Sequence, residues 1–165
     1  TSKDTARFYD DEGIPVLNDN GNQEVVAFDA QGVHVGDAAQ TQFAMSIRWD
    51  ISKNAWVKIR RSYYDNHYAD FDPISLTGAT AGTESWMIPS YNLYNLYAGF
   101  KLPVNKKMAL RFNLSVLNLF DKTYISDAQN NDQYIAGNTE NFDATSAGVF
   151  VGMGRRYNAS IKLNF

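Results

Sequence analysis

The side chains best suited to holding a ligand fall in one polar stretch, where Tyr68, Asp70, Asp72 and Trp86 set aromatic rings beside carboxylates. Tyr91 and Asn95 follow where an alternating segment begins. Aromatic faces cover flat or apolar ligand surfaces, while carboxylates and amides take the hydrogen bonds around them. Such a set suits a glycan or an aromatic siderophore equally. The competing expectation is that these side chains only pack the loops on one another. Asp10-Asp11-Glu12, and Asp70 with Asp72, carry the carboxylates that calcium needs, but EF-hand spacing is absent and loop solvation accounts for them. His34 and His67 have no partner at metal spacing and no nucleophile beside them, and nothing resembles a nucleophile elbow. The residues therefore predict binding rather than catalysis, with no metal and no cofactor.

The elements that must position these groups are strands. The final segment, 156–165, alternates throughout: Tyr157, Ala159, Ile161, Leu163 and Phe165 point one way, and Arg156, Asn158, Ser160, Lys162 and Asn164 the other. Four earlier segments do the same, at 42–51, 55–64, 92–102 and 108–116. In the first, Phe43, Met45, Ile47, Trp49 and Ile51 oppose Gln42, Ala44, Ser46, Arg48 and Asp50. Each has about ten residues, the length that a tilted strand needs to cross a bilayer. The predicted fold class is all-β, an antiparallel transmembrane barrel segment with its apolar face in lipid and its polar face toward a wet lumen.

Composition agrees. The chain has 165 residues, a net charge of −3 and no cysteine, which excludes disulfides and thiolate metal sites and gives no argument for nucleic acid. Aromatic residues make up 14%, with ten Tyr, ten Phe and three Trp. Mean hydropathy is negative and no apolar run approaches a membrane helix. Barrel strands escape that test because every second residue is polar. Thr1 is neither an initiator Met nor part of a signal peptide, so a mature fragment or cut piece is expected.

The connections alternate in length. Residues 52–54 and 103–107 are short turns, whereas 1–41, 65–91 and 117–154 are long and polar, expected as loops without strands of their own. Outer-membrane barrels have long loops outside and short periplasmic turns. Acidic residues crowd the long stretches and basic residues the strands, which predicts a cationic wall beneath an acidic rim. Trp49, Trp56, Tyr63, Tyr64, Tyr94 and Phe165 lie near strand ends, as an interfacial aromatic girdle would. Arg61 is the misfit: alternation puts it outward with Val57, Ile59 and Tyr63, unless a bulge turns it inward.

Residues 113–124, reading Asn-Leu-Ser-Val-Leu-Asn-Leu-Phe-Asp-Lys-Thr-Tyr, resemble the penultimate-strand signature of TonB-dependent outer-membrane receptors. Gly154-Arg155-Arg156-Tyr157 is similar to the opening of that family's last strand, and Pro89-Ser90-Tyr91-Asn92-Leu93 to that of an earlier one. Terminal Phe165 looks like the family's sorting signal. Val33–Asp37 and Tyr68–Pro73 resemble, less specifically, receptors of Bacteroidetes type. The resemblance implies about the last five strands of a 22-stranded barrel whose plug lies outside this chain. It implies energised uptake of a scarce nutrient: siderophore-iron, haem, cobalamin or a glycan. The partners it implies are the bilayer and lipopolysaccharide, the TonB complex through the plug, and the barrel assembly machinery reading Tyr157, Ile161, Leu163 and Phe165. Two alternatives from other classes are a soluble β-sandwich binding module and a passive outer-membrane channel.

Overall fold

The computed structural model describes residues 4–71, 76, 81–105, 107–130 and 143–165, so Asp72 and Lys106 lie outside the described residues. The described residues are all-β, with no helix among them. They divide into two compact units.

The first to describe comprises Ala39–His67, Pro89–Ser126 and Phe150–Phe165. Its centre is a five-stranded antiparallel sheet of β3 (Thr41–Ser52), β4 (Ala55–Asp65), β8 (Tyr91–Pro103), β9 (Ala109–Leu117) and β12 (Arg156–Asn164). The order β12-β9-β8-β4-β3 is a meander, and its two outer strands leave the sheet open. Register carries the alternation across every strand. On one face Ile47, Ile59, Leu96, Val116 and Tyr157 form a rung. Trp49, Val57, Ala98, Leu114 and Ala159 form the next. Phe100, Phe112 and Ile161 follow, then Leu102, Leu110 and Leu163. Much of this face is exposed, with Trp49 69% exposed and Ile161 68%, while Val116 is buried. Apolar patches of this extent on a sheet mark a membrane or partner surface.

The short turns are set by side chains. Ser52 Oγ accepts from Asn54 N at 3.2 Å, and a bulge between Asp50 and Ser52 precedes the last pair of the β3–β4 ladder, Ser52 with Ala55. Asn105 Oδ1 accepts from Lys107 N at 2.9 Å and Met108 N at 2.8 Å, an Asx turn that replaces ladder bonds. Arg61 stays on the apolar face, opposite Met45 and Tyr94, with no bulge. It lies toward the long-loop end, where Nε donates to Asn92 Oδ1 at 2.9 Å. A neighbouring amide, not a change of face, accommodates it.

The second unit comprises Thr1–Ala38, Tyr68–Ile88 and Asp127–Val149. The long stretches were expected to lack strands, yet they contain several. β1 (Asp4–Arg7) pairs antiparallel with β2 (Val25–Phe28). Beyond that pair, Phe8 N donates to Glu24 O, Val16 N to Phe8 O and Glu24 N to Val16 O, a closed ring of three bonds at 3.2, 3.0 and 2.8 Å. Two matching turns link them. Asp10 Oδ1 accepts from Glu12 N and Ile14 N, and Asn18 Oδ1 from Asn20 N and Asn22 N. Gly13 and Gly21 take the positive φ, 78° and 76°, that each turn requires. β6 (Asp70–Phe71) pairs parallel with Gln129 and Asn130 of β10 (Ile125–Asn130). In these short ladders the backbone N–H and C=O groups of a long segment pair with one another.

Candidate functional site

The polar face of the sheet is a wall of cations and rings. Register assigns to it Arg48, Asp50, Trp56, Lys58, Arg60, Asn95, Tyr97, Lys101, Arg111, Asn113, Arg156 and Lys162. Asp50 is the one carboxylate on this face within the five strands, and Arg48 pairs with it at 2.8 Å. The Arg48 guanidinium also lies 4.5 Å from the Trp56 ring centre, and Lys58 Nζ lies 4.6 Å from that of Tyr97. Gly99 makes this possible, since a Cβ there would fall 2.3 Å from Trp56 Nε1. Trp56 and Tyr64 were expected in an outer girdle with Trp49, Tyr63 and Tyr94, but register turns them to the polar face. Both occupy even positions of β4, and proximity to a strand end carries no information on face.

At the long-loop end of this wall Tyr91 is buried between two rings. Tyr64 stacks on it at 4.9 Å and Tyr124 leans on it at 4.5 Å. Both faces of Tyr91 are thus occupied by tyrosine. Asn95 Oδ1 accepts from Asn118 N at 2.9 Å. Asn118 is buried at a φ of 51°, and its side chain ties three chain segments together. Nδ2 donates to Lys122 O and Met153 O, while Oδ1 accepts from Lys122 N. Asp121, also at positive φ, accepts from Arg155 N at 2.7 Å and faces the Arg155 guanidinium at 3.8 Å. The Asn118–Lys122 stretch is therefore a structural knot at the strand's end.

In the loop unit Tyr68 stacks flat on His34, with centroids 4.2 Å apart and planes 3° apart. His34 Nδ1 lies 2.6 Å from Glu84 Oε2, and His34 N donates to Glu84 Oε1 at 2.9 Å. Burial pushes the Glu84 carboxyl up, but its hydrogen bonds from the His34 side chain and backbone outweigh this and hold it below its ordinary value. Asp70 Oδ1 accepts from the Phe71 N–H, and Ala69 N donates to Trp86 O at 2.8 Å. Gly36 packs against the Asp70 backbone, where a Cβ would meet Cα at 2.6 Å.

Tyr68, Asp70 and Trp86 thus share the loop unit, while Tyr91 and Asn95 belong to the sheet unit. Sequence reasoning found His34 without a partner at metal spacing and missed Glu84, which stands 50 residues away and shares no motif with it. Among the described residues no group of three or more His, Cys, Asp or Glu could hold a metal ion, and Asp10 spends Oδ1 on its own turn. No family model, curated protein or solved structure matches the chain.

Proposed function

We propose that this chain is the C-terminal barrel portion of a TonB-dependent outer-membrane receptor that takes up a scarce nutrient, a siderophore, haem, cobalamin or a glycan. One observation carries the reading. The five-stranded meander presents a mainly apolar face with exposed apolar side chains on every strand, while the other face is cationic and carries aromatic rings. A bilayer on one side and a wet lumen on the other account for both at once. The strands of 9 to 13 residues also fit, since such lengths cross about 25 Å of lipid when tilted.

The open edges of β3 and β12 cannot stay unpaired in lipid, so further strands complete the barrel. In this reading the short turns face the periplasm and the long connections run on the outer side, toward lipopolysaccharide and ligand. Tyr157, Ile161, Leu163 and Phe165 present the apolar edge that the barrel assembly machinery engages, and an N-terminal plug would meet the TonB complex. The role is binding and transport, with no reaction catalysed. A soluble sandwich would need a second layer over the apolar face, whereas Trp49, Phe100, Leu114 and Ile161 on it are exposed.

The test is the mass of the native polypeptide in outer-membrane vesicles, detected with antibody to residues 121–150. The expected result is a species several-fold heavier than 18.6 kDa that shifts on boiling in detergent. A lone soluble species of that small mass would overturn the proposal.

A further inference from the structure

On the polar face, one rung of the sheet places three cations side by side. Lys101 stands directly opposite Arg111, and Arg111 directly opposite Lys162. Neighbouring strands lie about 5 Å apart, and like charges directly opposite destabilise a sheet. Among the described residues none of the three has a carboxylate within ion-pair distance. The adjacent rung on the same face runs Asp50, Trp56, Gly99, Asn113 and Ser160, with the Trp56 ring lying over Gly99 and Asn113 Nδ2 reaching Ser160 Oγ at only 3.4 Å. Its one carboxylate, Asp50, is paired with Arg48 at 2.8 Å. On the other side lie Pro103, Ala109 and Asn164, again small or neutral. The cations therefore stand beside neutral neighbours on both sides within the same three strands. Lys101, Arg111 and Asn113 line a groove of about 310 Å³ that reaches Trp56 and the Arg48–Asp50 pair, and Lys162 stands next to Arg111 outside that lining.

We infer that Lys101, Arg111 and Lys162 form a binding site for a small multiply charged oxyanion, a di- or tricarboxylate or a phosphorylated compound. Arg111 sits in the middle and supplies a planar pair of donors to one carboxylate or phosphate, while the flanking ammonium groups follow a second or third charge. An occupant would relieve repulsion built into the rung, so binding and sheet stability rise together. The inference deepens the receptor reading, because a lumen wall so charged selects anionic cargo, and it depends on that reading only for which compartment supplies the anion.

The test is calorimetric titration of citrate into the full chain in detergent at low salt. Wild type should bind saturably. Arg111→Gln should weaken binding roughly tenfold or more, through the loss of charge-assisted bonds. Lys122→Gln, which removes a cation far from this rung, should leave binding unchanged. Lys101→Gln is the second variant should Arg111→Gln lose its strand circular dichroism. No saturable heat in wild type, or equal losses in Arg111→Gln and Lys122→Gln, would overturn the site. The native species is read separately, from outer-membrane vesicles. A heavy outer-membrane species together with a chain that ignores citrate overturns this inference alone, and a citrate-binding chain that occurs natively only as a lone soluble species of 18.6 kDa overturns the receptor reading alone.

Discussion

Leu114 and Asn113 are neighbours on β9, both exposed, on opposite faces of the sheet. Leu114 lies within the Trp49–Val57–Ala98–Leu114–Ala159 rung, with apolar rungs above and below it. Four such rungs at about 7 Å along the strand span most of a hydrocarbon layer, so Leu114 sits near its middle. Arg at that depth costs about 2–4 kcal/mol. At about 1.4 kcal/mol per decade, Leu114→Arg should lower the folded, inserted population by about 30- to 1000-fold. Asn113→Arg adds a cation to an already cationic but wet wall, where repulsion costs under about 1 kcal/mol. The assay is urea unfolding in lipid vesicles, followed by heat-dependent gel mobility. In water both sites are exposed and either change should fall within about 0.5 kcal/mol. Equal effects of the two substitutions would refute the two-solvent reasoning, and a larger effect of Asn113→Arg would reverse the faces.

Gly99→Ala should cost about 1–3 kcal/mol by pushing the Trp56 ring off its seat, read as a lower urea midpoint with a change in Trp56 emission. Asn118→Ala removes three side-chain hydrogen bonds and an Asx-tolerant positive φ, and should cost about 2–4 kcal/mol, with amide exchange rising at Lys122. The Glu84 contact with His34 is pH-dependent. Because the folded carboxyl lies below its unfolded value, its stabilisation is present above the ordinary carboxylate range and is lost as pH falls through the depressed value. The protection of the His34 amide, taken relative to the intrinsic exchange rate at each pH, should therefore fall on acidification in wild type and stay constant over that window in Glu84→Gln.

The sheet was legible because period-two alternation is local. Arg156 to Phe165 states which residues share a face without reference to any partner, and β3, observed at Thr41–Ser52, differs by one residue at each end from the expected 42–51. The faces of Trp56 and Tyr64 were equally available from parity, but nearness to a strand end was allowed to outweigh it. The loop unit was not legible. Its ring of bonds through Phe8, Val16 and Glu24 is made by backbone groups, which leave no side-chain pattern. Asp10 reads in the sequence as one of a run of carboxylates, and the equivalence of its turn to the Asn18 turn shows only in the shared hydrogen-bond pattern. His34 and Glu84 meet through tertiary placement that spacing along the chain does not encode.

The most direct test of the central claim uses two of the chain's tryptophans as depth probes. Trp49 faces the apolar side on β3 and Trp56 the polar side on β4, with Trp86 replaced by Phe in both single-tryptophan variants. Emission is measured in vesicles containing lipids brominated on their acyl chains. The account predicts that Trp49 is strongly quenched by bromolipid while Trp56 is not and responds instead to aqueous iodide. Equal bromolipid quenching of the two, or none of either, would contradict it.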